Sequence, residues 1–168
     1  FFFFKQKTAY EIVDCDWSSD VCSSDLIWDP MKPEAAFAAR VREGLQPLGV
    51  DIERIENRVN LGITDCLMGI DSLFVAVELK VVERGLKVAL RPHQIAFLTR
   101  HALKGRPCFV LIHYKGTLSR PGRIFLYRGR DAVALAESGL RLPPLRDWPN
   151  RGMRWDELKA ALSEAENR

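Results

Sequence analysis

Two short apolar runs, residues 65–70 and 73–81, constrain the fold most, because only two residues separate them. Both runs have the β-branched, apolar composition of strands, and Asp71-Ser72 between them is typical of a tight turn. Counting outward from such a turn places Asp65 directly opposite Glu78. A longer loop at this point would offset the two acids by about one pair. The pattern therefore predicts a β-hairpin with two carboxylates near its open end.

The second run carries charge on one face only. Side chains alternate along a strand, so Glu78 and Lys80 share one face while Val77 and Leu79 share the other. Two carboxylates facing each other repel, and a divalent cation between them would make the pair favourable, since Mg²⁺ prefers carboxylate oxygens. The alternative is that Glu78 and Lys80 lie on the solvent face of an ordinary amphipathic strand.

The same residues resemble the PD-(D/E)xK nuclease superfamily, whose signature is an Asp, about a dozen residues, and then Glu-x-Lys. Here the signature is Asp65 with Glu78-Leu79-Lys80, and Thr64 replaces the usual Pro. The wider text, Arg54-Ile55-Glu56-Asn57 and Leu90-Arg91-Pro92-x-Gln94, is similar to small phage-encoded nucleases related to Holliday junction resolvases and to virus-type replication-repair nucleases.

This resemblance covers about residues 34–130 and implies the fold and the chemistry. The fold would be α/β (α+β), with a restriction-endonuclease-like αβββαβ core and a mixed central sheet flanked by helices. The activity would be Mg²⁺-dependent cleavage of DNA, with Mn²⁺ as a substitute ion. The implied catalytic residues are Asp65, Glu78, Lys80 and Gln94, and the implied metal ligands are Asp65, Glu78, the Leu79 carbonyl, and Glu34 or Glu56.

The further acid stays open between two positions. Glu34 ends the apolar stripe of a helix predicted over residues 33–45, but a glutamate in a first turn also complements the helix dipole. Glu56 lies in a strand predicted over residues 51–59, where a cross-strand ion pair explains it equally well. Gln94 borders the core stripe of a helix that opens at Pro92, and an ordinary boundary position is its alternative.

Positive charge is concentrated after the hairpin. From Lys80 to Arg130 the sequence contains twelve Lys or Arg residues and one acid. Basic side chains bind backbone phosphates, so Arg84, Lys87 and Arg91 are candidate DNA contacts. A solvated basic surface is the alternative.

The chain is divided by composition into three segments. Residues 1–30 resemble translated sequencing-adapter text, so we expect a non-native or disordered extension and a native start near Met31; a genuine extension is the alternative. Residues 1–30 hold two lysines and six acids, so the whole-chain charge of +3 leaves +7 on the remainder. Residues 31–140 are predicted to form the nuclease domain, and residues 141–168 a linker with a C-terminal helix.

Location and partners follow from the rest of the sequence. Cys66 and Cys108 occur singly in apolar runs, which indicates buried free thiols in a reducing compartment, and no apolar run is long enough to span a bilayer. We therefore expect a protein of the bacterial host cytoplasm. The resemblance implies a DNA partner, including branched DNA, and a homodimer, although no residue pattern marks an interface. A non-catalytic DNA-binding module and an RNA-directed nuclease are the competing classes.

Overall fold

The computed structural model describes residues 32–55 and 64–164. Residues 1–30 and Glu56 lie outside this part, so the predictions for them stay predictions. The helices are α1 (Pro33–Leu45), α2 (Pro92–Ala102), α3 (Ala132–Ser138) and α4 (Trp155–Ser163). The strands are β1 (Val50–Arg54), β2 (Cys66–Ile70), β3 (Leu73–Val82), β4 (Cys108–Tyr114), β5 (Arg123–Arg128) and β6 (Arg146–Pro149).

The strands form one mixed sheet in the order β1-β2-β3-β4-β5-β6. Among the described strands only β3 and β4 are parallel neighbours, and α2 makes the crossover between them. The four other pairings are antiparallel. The α1-β1-β2-β3-α2-β4 order confirms the predicted α+β fold with an αβββαβ core, a mixed central sheet and flanking helices.

The β2–β3 hairpin has the predicted register. Ile70 pairs with Leu73 and Cys66 pairs with Val77. Asp71 occupies the left-handed region with φ +53°, a conformation that aspartate tolerates better than most residues. The next position outward from the last pair joins Asp65 to Glu78, as the two-residue turn requires.

Two apolar cores cover the two faces of the sheet. On the face that we call the α1 face, α1 and α4 pack against alternate strand residues such as Val77, Leu79 and Leu111. On the opposite, α2 face, α2 and α3 pack against the intervening residues, such as Val110 and Ile112. Strand alternation therefore places Glu78 and Lys80 on the α2 face.

The segment after residue 140 differs from the prediction of a linker and a helix. Residues Arg146–Pro149 form β6 at the edge of the sheet, and the buried Trp148 joins the core of the α1 face. Its charged residues and its proline are typical of edge strands, which hide the usual strand pattern. The described residues from Lys32 onward belong to one compact unit.

The structure also bears on the predictions about the two cysteines and about membrane-spanning helices. Cys66 and Cys108 are buried and free, which confirms the interpretation of these residues as buried thiols. In the part of the chain that the structure describes, no helix is long and apolar enough to cross a bilayer.

Candidate active site

Glu78 and Lys80 form the centre of the site in β3. Glu78 is fully buried, and the Lys80 side chain is 15% exposed. The Lys80 Nζ lies 2.7 Å from Glu78 Oε1, so the two residues form an ion pair along one face of the strand. The alternative of two solvated side chains on a wet face is therefore wrong for Glu78.

Asp65 is held beside them by backbone contacts on both sides. Its carbonyl accepts a hydrogen bond from the N–H of Ile55 at 2.9 Å. Its Oδ2 accepts a hydrogen bond from the N–H of Leu79 at 3.1 Å. The Asp65 carboxylate thus takes the place of a strand backbone next to β3, immediately across from Glu78.

Gln94 connects the start of α2 to the same carboxylate. It is the third residue of α2, which begins at Pro92, and its Oε1 accepts a hydrogen bond from the N–H of Arg91 at 2.9 Å. Its Nε2 donates a hydrogen bond to Glu78 Oε1. The structure therefore brings together all four predicted catalytic side chains, Asp65, Glu78, Lys80 and Gln94.

The electrostatic environment of Glu78 opposes its charged form. Burial, and next the neighbouring charge of Asp65, raise the pKa of Glu78 to about 7, although Lys80 acts in the other direction. Glu78 Oε2 is buried and has no hydrogen-bond partner among the described residues. The Asp65 carboxylate can pair with it only when one of the two acids carries a proton, because a carboxylate is an acceptor only.

An unpartnered buried carboxylate oxygen beside a second carboxylate fits a hard divalent cation. Such an ion accepts oxygen ligands and offsets the repulsion that raises the pKa of Glu78. The carbonyl of Leu79 faces the Asp65 side of β3, because the N–H and carbonyl of one strand residue point to the same neighbour. Among the residues that the structure describes, these three groups are the oxygen donors available to such an ion.

Residues next to the site are apolar or inert. Thr64, which replaces the usual Pro of the signature, is buried, and its hydroxyl donates to the Cys66 carbonyl at 3.4 Å. Burial, with a smaller contribution from Asp65, raises the pKa of the Cys66 thiol to about 11. Cys66 therefore stays a neutral thiol near pH 7 and is no nucleophile there.

Among the described residues, the structure does not place a third acidic side chain beside Asp65 and Glu78. Within residues 32–55 and 64–164, no three His, Cys, Asp or Glu side chains are placed to share one ion. Glu34 is half-buried on α1, which packs on the opposite sheet face from Glu78. Glu56 lies outside the described residues, so neither candidate gains support as a ligand and both stay predictions.

The candidate DNA contacts lie in the loop between β3 and α2. Arg84, Lys87 and Arg91 are all exposed there. The loop is fixed to the end of α3 by a hydrogen bond from the Leu140 N–H to the Leu86 carbonyl at 2.8 Å. The three basic side chains are thus presented on the segment that joins Lys80 to Gln94.

No protein-family model matches this chain, and no curated protein is similar to it. Among solved structures, it is similar to Hjc, a Holliday junction resolvase from the archaeal hyperthermophile Archaeoglobus fulgidus. The two are 19% identical, the match covers 54% of this chain and 74% of that chain, and the TM-score is 0.41.

Proposed function

We propose that this protein is a metal-dependent endonuclease that hydrolyses phosphodiester bonds in DNA. The observation that carries the proposal is the pair formed by the half-buried Asp65 and the fully buried Glu78. One oxygen of the Glu78 carboxylate is unpartnered among the described residues, and the Lys80 Nζ lies 2.7 Å from the other. A pair of acids next to a lysine is suited to phosphodiester hydrolysis, because the acids can hold a cation and the lysine can stabilise negative charge.

The groups that would hold the cation are the carboxylates of Asp65 and Glu78 and the carbonyl of Leu79. Mg²⁺ is the proposed ion, with Mn²⁺ as a substitute, because all three groups offer oxygen. When bound, such an ion supplies Lewis acidity, polarising a phosphate oxygen and lowering the pKa of water. Glu34 or Glu56 remains the proposed source of a further oxygen.

Lys80 is the proposed catalytic cation of the protein itself. Its ammonium group is already positioned by Glu78, so it is preorganised to stabilise the negative charge that develops on the phosphate. It also orients the attacking water through the hydrogen bonds that a lysine donates. Gln94 fixes the Glu78 carboxylate and is the residue of α2 that lies within reach of the reacting groups.

Arg84, Lys87 and Arg91 are the proposed contacts to DNA phosphates beside the cleaved bond. They follow Lys80 in the chain, are exposed, and carry three positive charges on a loop that also bears Glu83. Glu83 forms an ion pair with Lys115, which leaves the three basic groups available for phosphate. Binding should weaken steeply with salt, because phosphate contacts release counterions.

The sequence resemblance to small phage-encoded nucleases related to Holliday junction resolvases motivates the finer parts of the proposal. We propose branched DNA as a substrate, phage or prophage DNA processing in the bacterial cytoplasm as the setting, and a homodimer as the working form. A dimer would present two sites to the arms of one junction.

The test is incubation of the purified protein with four-way-junction, flapped and linear DNA, with Mg²⁺, Mn²⁺ or EDTA, and with a matched RNA duplex. We expect cleavage of DNA that depends on Mg²⁺ or Mn²⁺ and stops in EDTA. DNA binding without cleavage in Mg²⁺ would overturn the proposal in favour of a binding module. Cleavage of RNA alone would assign the other substrate class.

A further inference from the structure

A second concentration of positive charge lies at the opposite end of α2 from Gln94. It comes from two regions that are distant in sequence: the end of α2 with the turn that follows it, and the end of β5 with the residues directly after it. We call it the distal basic patch, and its members are Arg100, Lys104, Arg106, Arg128 and Arg130. None of them belongs to the group proposed to bind DNA beside the cleaved bond.

The backbone brings three of these arginines to one cavity. Arg106, Arg128 and Arg130 line a cavity of about 90 Å³. Gly129, between the last two, lies so close to β4 that a Cβ there would be 2.4 Å from the Cys108 Sγ. The close approach of the β5 end to β4 therefore depends on this glycine, and it places Arg128 and Arg130 beside Arg106.

The patch has few acidic partners. Asp131 lies 3.9 Å from Arg130, and Glu164 lies on the rim of the cavity. Within the part of the chain that the structure describes, Arg100, Lys104 and Arg128 form no ion pair. Five basic groups and two acids leave an excess of positive charge.

His101 lies among these basic residues. Its ring stacks on Phe97 with centroids 4.1 Å apart, and its Nδ1 accepts a hydrogen bond from Arg106 at 3.3 Å. Burial, and next the charges of Arg106, Arg100 and Lys104, lower the pKa of His101. This environment favours the neutral imidazole, and the positive charge of the patch comes from its Lys and Arg side chains.

The separation from Gln94 suits a single DNA molecule. The eight residue steps of α2 from Gln94 to Ala102 span about 12 Å at 1.5 Å per residue. Successive base pairs advance about 3.4 Å along the DNA axis, so 12 Å corresponds to roughly three to four base pairs. Arginine forks match phosphate oxygens in geometry as well as in charge.

We propose that the distal basic patch binds the phosphate backbone of the DNA substrate roughly three to four base pairs from the cleaved bond. This inference rests on the proposed function, since it takes the same DNA to reach both ends of α2. The patch supplies affinity and orientation but no reacting group. It therefore predicts that substrate length beyond the cleaved bond contributes to binding.

The experiment measures the dissociation constant for a 30-base-pair duplex in EDTA over a series of KCl concentrations. One variant is Arg100→Ala/Lys104→Ala, whose two side chains are exposed. A second is Arg106→Ala/Arg130→Ala, checked for folding by circular dichroism. The matched control is Arg146→Ala/Arg151→Ala, which removes two exposed positive charges elsewhere.

Each patch variant should weaken binding at low salt roughly tenfold and should lower the salt slope by about one to two. The control should keep the parent slope. Patch variants with the parent affinity and slope would overturn the inference. Patch-dependent binding to phosphatidylserine vesicles but not to DNA would overturn it as well.

Failure of the two proposals is distinguishable. If the parent never cleaves DNA in Mg²⁺ but binds it with a slope that the patch variants reduce, the nuclease proposal fails and the patch remains a DNA-binding surface without a cleaved bond beside it. If the parent cleaves DNA and the patch variants bind like the parent, the patch fails and the nuclease proposal stands.

Discussion

Leu79 and Glu78 are neighbours in one strand, both excluded from water, and they face opposite sides of the same sheet. Leu79 enters an apolar core that α1 and α4 complete. Glu78 enters a face where its partners are Lys80, Gln94 and a second carboxylate, and one of its oxygens has no hydrogen-bond partner among the described residues. Burial of Leu79 thus adds stability, while burial of Glu78 costs stability and places a charge within the α2 face.

Selection for stability alone explains the burial of Leu79, but it does not explain the burial of Glu78. Burying a carboxylate beside another carboxylate is unfavourable, and the raised pKa of Glu78 expresses that cost. A glutamine or a leucine at this position would avoid it. The arrangement is understandable if the charge is needed for a bound cation.

The largest expected effect is on DNA cleavage and comes from changing Asp65. Asp65→Asn keeps the size of the side chain and its acceptor for the Leu79 N–H but removes one anionic ligand, so Mg²⁺-dependent cleavage should fall to the level of the EDTA control. The measurement is the rate of junction cleavage, with Asp51→Asn, an exposed acid on β1, as the control. Cleavage by Asp65→Asn at the parent rate would remove the metal-ion proposal.

Loss of Lys80 should separate binding from cleavage. Lys80→Ala removes the ammonium group proposed to stabilise the developing charge, and cleavage should slow by about a hundred- to a thousandfold. DNA affinity in EDTA should change little, because Arg84, Lys87 and Arg91 remain. Single-turnover rates and binding isotherms check this, and equal cleavage by the variant and the parent would show that Lys80 has another role.

A change in the α1-face core should lower the free energy of unfolding. Leu79→Ala removes a side chain that is 1% exposed in the α1-face core, and the free energy of unfolding should fall by about 2–5 kcal/mol. Urea unfolding monitored by circular dichroism measures the change, and Leu103→Ala, an exposed leucine after α2, is the control. A loss below about 1 kcal/mol would mean that the core relaxes to fill the space.

Glu78→Gln should act in the opposite direction on stability. Because the pKa of Glu78 in the folded protein is about 7, above its ordinary value of 4.5, the folded state holds the proton more tightly than the unfolded state. Without divalent ions, the parent should therefore lose stability as the pH rises from about 4.5 to about 7, by at most on the order of 3 kcal/mol.

Glu78→Gln should lack this loss, so the variant should be more stable than the parent above pH 7. Urea unfolding at pH 5 and pH 8 in EDTA makes the comparison, with Glu137→Gln, an exposed acid on α3, as the control. The difference in free energy of unfolding between the parent and Glu78→Gln could be the same at pH 5 and at pH 8. Glu78 would then not be protonated in the folded state near neutral pH.

The hairpin was predictable because its information is local. A two-residue turn fixes the pairing of the flanking residues, so the opposition of Asp65 and Glu78 follows from counting. The αβββαβ core was implied by the resemblance to the nuclease superfamily, while single elements such as the helix over residues 33–45 were predicted from their own apolar periodicity.

What the sequence could not show depends on distant contacts. Glu78 is completely buried, and only the fold shows that Gln94, sixteen residues later in α2, donates to its carboxylate. Strand β6 was missed because its charges and proline hide the pattern of an edge strand. The convergence of Arg106 with Arg128 and Arg130 likewise requires the turn after α2 to meet the end of β5.

Gln94 has two duties, because one end of its amide group secures the first turn of α2 and the other end holds Glu78. Any event that draws Glu78 away from this amide also loosens the anchorage of the helix. The rate of deuterium uptake at the Arg91 amide is therefore expected to rise when the Glu78 carboxylate binds another group in place of Gln94.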